Sequence, residues 1–320
     1  MVCLCGKILS NRLVTFLEDE TTISFSKWQS YPIEELYDEM SDYNTFRRMI
    51  ESLRHDTARE AVKLYRYRFA GFLEAVKITE DCHVLLADSL TSEGVLLRPV
   101  HHERKYRVAS PLIDALIRLK VIPRQFPNAP SVPPKEICPN VLDIPVILTE
   151  CLKCFDKQLI QSAYSSSYKV STVLVHGSSG IHVPRESVYD TELMRILCNW
   201  LKTCGWSVIG QRHTKTANGK HSYSDIVLEK DRIRIVLELL ATGDAAFMKS
   251  HIQKTPEYVA LHSAVEGWVI HFTCEDPFTP IRPEPSCGVN VIYVSHKEDF
   301  ENITLHIYSK DTQEEKVLCI

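Results

Sequence analysis

Apolar positions follow three successive rhythms along this chain. Up to about residue 80 the sequence is rich in charge, and apolar residues return at roughly helical intervals, most clearly at Leu64, Phe69, Phe72, Leu73 and Val76. The stretch IEELYDEMSDYNTFRRMIESLRHDTAREAVKLYRYRFAGFLEAVKI therefore predicts helices with one or two buried faces. Pro32 stands where a fixed φ opens a helix, and Glu34 and Glu35 follow in the first turn, where the partial positive charge of a helix N-terminus favours acids.

A second rhythm begins at Cys82. CHVLLADSLTSEGVLLRP predicts short strands around a turn at Ser92 and Gly94, and Lys105 to Val108 predicts another strand. Pro111 then opens an amphipathic helix with Leu112, Leu116 and Leu119 on one side, ending by Pro123. Helix, small wing and helix together resemble a winged-helix module. Prolines at 123, 127, 130, 133, 134, 139 and 145 follow. Each removes a backbone donor and bars regular structure, so this stretch predicts an extended linker or strap. One helix is expected over VILTECLKCFDKQLIQSAY.

The third rhythm, from Thr172 onward, is the cleanest. Ser187 and Asp190 predict a helix start, and Leu193, Leu197, Trp200 and Leu201 its core stripe. Strands are predicted at Trp206 to Gln211, Tyr223 to Glu229 and Ile233 to Leu239, followed by a helix within Asp244 to Ser263 that Pro256 kinks or breaks. Further strands are predicted at Trp268 to Thr273, Val289 to Val294 and Ile303 to Tyr308. The fold class is thus α/β (α+β), a mixed sheet flanked by helices and preceded by a mostly helical, winged-helix-like domain. The expected divisions are a connector domain over 1–122, a proline-rich linker with a bridging helix over 123–171, and the α/β domain over 172–320.

Composition narrows the functional classes. With 320 residues and 44% hydrophobic content the chain can build real cores, which excludes disorder as its dominant state. Its formal charge of -4 means that any nucleic-acid affinity must come from a local basic patch. No run of about 18 apolar residues exists to span a bilayer. Lys7, Asn11 and Arg12 interrupt the N-terminal apolar stretch, so no secretory signal is expected. The 11 cysteines lack framework spacing and predict reduced thiols in a reducing compartment, cytoplasm or nucleus.

Chemistry concentrates in YSDIVLEKDRIRIVLELL. Asp225 and Glu238 lie on two successive apolar strands. A turn at Lys230 and Asp231 would pair Asp225 with Val236 and set Glu238 one diagonal step away on the same face, about 7 Å off. A three-residue loop would put the acids on opposite faces. A buried carboxylate among Leu and Ile costs several kcal/mol without a partner, and a metal ion is one such partner. Glu192, beside the helix stripe, is a candidate third acid. Two or three carboxylates suit Mg2+, with Mn2+ as a substitute, and such an ion assists hydrolysis.

These residues resemble the core of the PD-(D/E)XK restriction-endonuclease-like superfamily. The resemblance implies that Glu192, Asp225 and Glu238 hold magnesium for phosphodiester cleavage. Ser224 stands where that motif often has proline, and Leu240 occupies the position of its usual lysine. Lys249, Gln253 and Lys254 on the following helix are the replacements on offer, with Gln253 and Tyr258 similar to a glutamine and tyrosine motif of related nucleases. The stretches VPRESVYDTELMRILCNWL, YSDIVLE to VLELLATG, HIQKTPEYVALHS and KYRVASPLIDALI also resemble Crinkler-type effector proteins. That resemblance implies nuclear action, DNA over RNA as substrate, and export by an unconventional route.

Arg212, His213, Lys215, Lys220 and His221 form a basic cluster suited to a phosphate backbone, or else a solvated loop. The N-terminal part offers a surface for a protein partner. No GxxxxGK[ST] exists, and HGSSG at 176–180 lacks the lysine of a phosphate cradle, so no ATP use is expected. Cys151 with Cys154, and Cys3 with Cys5, supply too few ligands for zinc. Two functions remain: a magnesium-dependent nuclease, or a catalytically inactive nucleic-acid-binding or protein-interaction module.

Overall fold

The computed structural model describes residues 33–99, 104–134, 136–138, 141–215, 221–284, 288–311 and 315–320. By its contacts the chain divides into two compact units, Met1–Phe126 with His213–Ser222, and Pro127–Arg212 with Tyr223–Ile320. Pro32, Cys3, Cys5 and Lys220 lie outside the described residues.

In the first unit three helices, α1 (Ile33–Asp42), α2 (Asn44–Arg54) and α3 (Arg59–Arg68), precede a strand β1 (Val76–Lys77). The predicted helical stripe stops at Phe69. Leu64 and Phe69 are buried, whereas Leu73 is exposed and Val76 belongs to the strand. The stretch predicted as strands from Cys82 is instead a helix, α4 (Asp81–Ser92). It opens with Asp81 in its first turn, buries Ala87 and Leu90 one turn apart, and is followed by Gly94 at φ 78°. Ser92, read as part of the turn, is the last residue of the helix. Strands β2 (Leu96–Leu97) and β3 (Lys105–Val108) follow, and the small sheet runs β1-β3-β2.

Helix α5 (Pro111–Leu116) starts as expected, with Pro111 at its N-terminus and Ser110 Oγ accepting the Ile113 amide at 3.2 Å. It passes through a π-helical turn at Ile117–Val121 into α6 (Ile122–Gln125), so it does not end at Pro123. The buried face is Ile113, Leu116, Ile117 and Val121, one residue round from the predicted leucine stripe. Below it, the buried carboxylate of Asp114 accepts from Tyr65 Oη at 2.6 Å and from the Gly71 amide at 3.0 Å.

The second unit is a seven-stranded mixed sheet flanked by helices, a generic α/β architecture. A short hairpin, β4 (Glu136–Cys138) with β5 (Val141–Leu142), leads to α7 (Ile144–Lys153) and α8 (Lys157–Ser166), which replace the single helix predicted there. Asp156 breaks the run and caps α8. Helix α9 (Glu186–Trp200) is buried along most of its length, including Leu193, Leu197 and Trp200 as predicted. Its N-cap is Arg185, and Ser187 lies inside the helix, accepting from Arg185 Nε at 2.8 Å.

Strands β6 (Ser207–Lys215), β7 (His221–Lys230), β8 (Ile233–Leu240), β9 (Glu266–Thr273), β10 (Asn290–Ser295), β11 (Thr304–Tyr308) and β12 (Glu315–Cys319) line up in sequence order. Helix α10 (Ala245–Leu261) connects β8 to β9 and runs unbroken past Pro256. The β8–β9 and β9–β10 pairs are parallel and the β7–β8 pair is antiparallel. Parallel strands are covered on both faces, which explains the near-continuous apolar runs of β8, β9 and β10. Gly267 on β9 admits α10 closely: a Cβ there would sit 2.5 Å from a Val259 methyl. Strand β12 had no predicted counterpart, because it is a largely exposed edge with little apolar burial.

One buried ion pair ties the helices together. Arg195 donates to Glu192 at 2.8 Å, to the Asn128 carbonyl at 2.6 Å and to the Cys154 carbonyl at 2.9 Å, while Glu192 also accepts the Asp156 amide at 2.9 Å. Both side chains are essentially inaccessible. Substituting Arg195→Ala would leave the Glu192 charge buried without its cation, and should cost about 3–5 kcal/mol in urea unfolding. Glu192→Gln should also destabilise, because it leaves the Arg195 guanidinium buried without its counter-ion, held only by the Asn128 and Cys154 carbonyls.

Candidate carboxylate site

The hairpin turn takes Asp231 and Arg232 rather than Lys230 and Asp231, because the observed pairs are Lys230 with Ile233 and Ile226 with Leu237. Asp231 occupies the left-handed region at φ 54°, which Asp tolerates better than most residues. The turn still holds two residues, so parity is kept and both acids share a face as predicted. The shift changes their separation. The ladder ends at Ile226 and Leu237, and Asp225 and Glu238 are the next residue on each strand.

The two carboxyl groups have unequal surroundings. Asp225 is half-buried, and its Oδ2 accepts the Leu239 amide at 2.8 Å. Glu238 is 2% exposed, and its Oε1 has no hydrogen-bond partner among the described residues. Burial drives the Glu238 pKa far above the carboxylate range, and the charges of Asp225 and then Glu186 push the same way. A hydrogen bond from the Asp225 backbone and the Lys254 ammonium oppose the rise.

The predicted residues do not all converge. Glu192 belongs to the Arg195 network, so its carboxylate is already engaged. The acid of α9 whose charge Glu238 feels is Glu186, in the first turn. Lys249, Gln253 and Lys254 are exposed on α10, and of these Lys254 acts on Glu238. Ser224, at the motif's proline position, is buried and hydrogen-bonds His262 Nε2 at 2.9 Å. Arg212, His213 and Lys215 lie on β6 and His221 on β7, with side chains outside the described set. Among the described residues no group of three or more His, Cys, Asp or Glu side chains could hold a metal ion.

Groups that sequence reasoning missed complete the surroundings. Lys169, between α8 and α9, donates to the Ala241 carbonyl at 3.2 Å, one residue past the end of β8, and its ammonium lies 5.6 Å from the Phe247 ring. Burial pulls its pKa down, partly offset by Glu186. Phe247 also packs on His251 at 4.8 Å between ring centroids. His271, paired in register with Leu240, is buried, with the Ala241 backbone as a weak partner that raises its pKa slightly. Burial first, then Lys169 and His251, hold its pKa down at about 4. These residues cluster around the carboxyl ends of the parallel strands β8 and β9, where α/β sheets commonly bind ligands. Only the position of Glu186 in a first helical turn was a usable sequence signal. Lys169 comes from the stretch read as linker.

No protein-family model matches this chain, and no curated protein matches it either.

Asp225 and Glu238 are the two acids that could hold a divalent cation. It would satisfy the orphaned Glu238 oxygen and remove the repulsion with Asp225, and Mg2+ needs only one or two carboxylates because it retains water. Without it the native state keeps a proton on Glu238 that the unfolded chain loses in the ordinary carboxylate range. Stability should therefore fall as pH rises through and above that range, and Glu238→Gln should flatten the slope in urea unfolding. Titrating MgCl2 into the protein at pH 7 should release close to one proton per ion bound, detected as calorimetric heats that vary with buffer ionisation enthalpy. Glu238→Gln should abolish that release.

Proposed function

We propose that this protein is a magnesium-dependent phosphodiesterase acting on nucleic acid, with DNA as the favoured substrate. The observation that carries this reading is Glu238: a fully buried carboxyl group, opposite a second acid, with an oxygen left unpartnered at a strand end. A bound divalent ion there would polarise the phosphate and acidify a coordinated water.

In this reading Asp225 and Glu238 hold the ion. The Leu239 amide fixes the Asp225 carboxylate, so the pair is preorganised by the hairpin itself. Lys169 brings an ammonium to the end of β8, close to where the resemblance leaves Leu240 in place of lysine, and would balance charge on the phosphate. Lys249, Gln253 and Lys254 would approach the substrate from α10, with Glu186 at the rim. The basic residues Arg212, His213 and Lys215 of β6 and His221 of β7 would track the nucleic-acid backbone. The restriction-endonuclease-like reading is supported by the helix, antiparallel hairpin and parallel crossover around the acids. In the first unit, the β1-β3-β2 order with α4 before the β2–β3 pair supports the winged-helix-like reading. That unit would serve a DNA or protein partner.

The second reading is an inactive nucleic-acid-binding or protein-interaction module. Two observations favour it: the apolar Leu240, and the commitment of Glu192 to Arg195.

Cleavage assays on single- and double-stranded DNA and RNA, with Mg2+ or Mn2+, separate the two. Asp225→Asn and Glu238→Gln should abolish cleavage while far-UV circular dichroism stays unchanged, and Lys169→Met should cost on the order of 100-fold in rate. Wild-type protein that neither binds magnesium nor cleaves would remove the enzyme reading. Salt-sensitive DNA binding retained in that protein would establish the module.

A further inference from the structure

Beyond the carboxylates, the ends of the three parallel strands carry a second polar cluster in the second unit. Cys274 follows β9, His296 follows β10 and Thr242 follows β8 by two residues. Tyr164 on α8 donates to Cys274 Sγ at 2.8 Å, and Thr242 Oγ1 accepts the Cys274 amide at 3.1 Å. His296 Nε2 lies 2.8 Å from Tyr189 Oη and 3.8 Å from Cys274 Sγ. All four titratable side chains are buried, with Cys274 at 3% exposure. Aromatic rings wall them in: Tyr189 stacks on Phe272 at 4.2 Å, and His296 meets the Phe300 ring edge at 4.7 Å.

The hydrogen bonds constrain where the protons are. His296 Nδ1 faces the Lys297 carbonyl at 2.8 Å, and a carbonyl only accepts, so Nδ1 carries a proton. The sulfur already accepts from Tyr164. Nε2 is the base nearest the sulfur, at 3.8 Å, and shares its position with Tyr189 Oη at 2.8 Å, so a proton passed from sulfur to Nε2 would leave a thiolate beside an imidazolium held by Tyr189. Despite burial, His296 and the hydroxyls of Tyr164 and Thr242 hold the Cys274 thiol below its ordinary range, and Cys274 in turn raises His296. Other charges facing the cluster are Lys169 toward Cys274, Asp299 toward Tyr164 and His296, and Glu298 toward Tyr164. Packing alone would call for an apolar side chain here.

We propose that Cys274 is a modification site for hydrogen peroxide. The Cys274 sulfur attacks one peroxide oxygen, an S–O bond forms and the O–O bond breaks. The departing hydroxide takes the proton from His296 Nε2 and leaves as water. Sulfur is oxidised to the sulfenic acid, peroxide is reduced, and His296 ends neutral. At 3% exposure the sulfur would be out of reach of larger thiols, so the product would be shielded from them. Oxidation also removes a negative charge facing Lys169.

The test uses exposed Cys82 and Cys319 as internal standards. Reduced full-length protein is treated with hydrogen peroxide at pH 6, quenched with catalase, unfolded in dimedone and read by peptide mass spectrometry. Cys274 should be labelled at least about tenfold faster than Cys82 and Cys319, since the thiolate is the reactive form. His296→Gln should slow Cys274 and make its rate rise steeply with pH. Tyr164→Phe, which keeps the ring packing, should slow it less, and serves if the histidine variant fails to fold. Labelling of Cys82 or Cys319 at a rate equal to or above that of Cys274 in the native protein would overturn the proposal.

Discussion

Strand β8 is the element on which the second unit depends. It pairs antiparallel with β7 through a two-residue turn and parallel with β9 through α10, and its last six residues are buried on both faces. Each pairing places chemistry. The turn makes Asp225 and Glu238 the next residue on each strand past the end of the ladder. The parallel pairing brings His271 beside Leu240, and the crossover it requires carries His251 and Lys254. A one-residue slip in β8 would turn Glu238 to the opposite face and dissolve the site.

Two buried glutamates illustrate how surroundings assign roles to one side-chain type. Glu192 has a guanidinium at 2.8 Å and a backbone amide at 2.9 Å, so its charge is matched and it acts as a brace between helices. Glu238 has a second acid opposite and an oxygen without a partner among the described residues. A buried carboxylate with matched partners contributes architecture. One with an unmatched oxygen and a like charge beside it is unstable as an anion until a proton or a cation arrives. The same physics separates His271, whose pKa burial lowers, from His296, whose pKa the neighbouring sulfur raises against burial.

Both clusters occupy the carboxyl ends of the parallel strands. There the backbone leaves the sheet, carbonyls such as that of Ala241 become available to Lys169, and the first turn of α9 delivers Glu186. The cysteine–histidine pair lies with them, and Lys169 faces both Glu186 and Cys274.

Much of this architecture was legible in residue order. The apolar runs of β7 to β11, the core stripe of α9 and the same-face placement of Asp225 and Glu238 follow from periodicity and from the parity of a two-residue turn, which are local properties. Helix α4 and the π turn after α5 were not legible, because short polar-rich windows fit helix and turn equally and a π turn shifts the buried face without a sequence mark. Edge strand β12 buries too little to leave a pattern. The partners of Glu192 and Glu238, and the arrival of Lys169 and Glu186, were settled only by the tertiary fold. A carboxylate's role is set by charges and donors within a few ångströms, and those come from segments tens of residues away whose approach no local rhythm encodes.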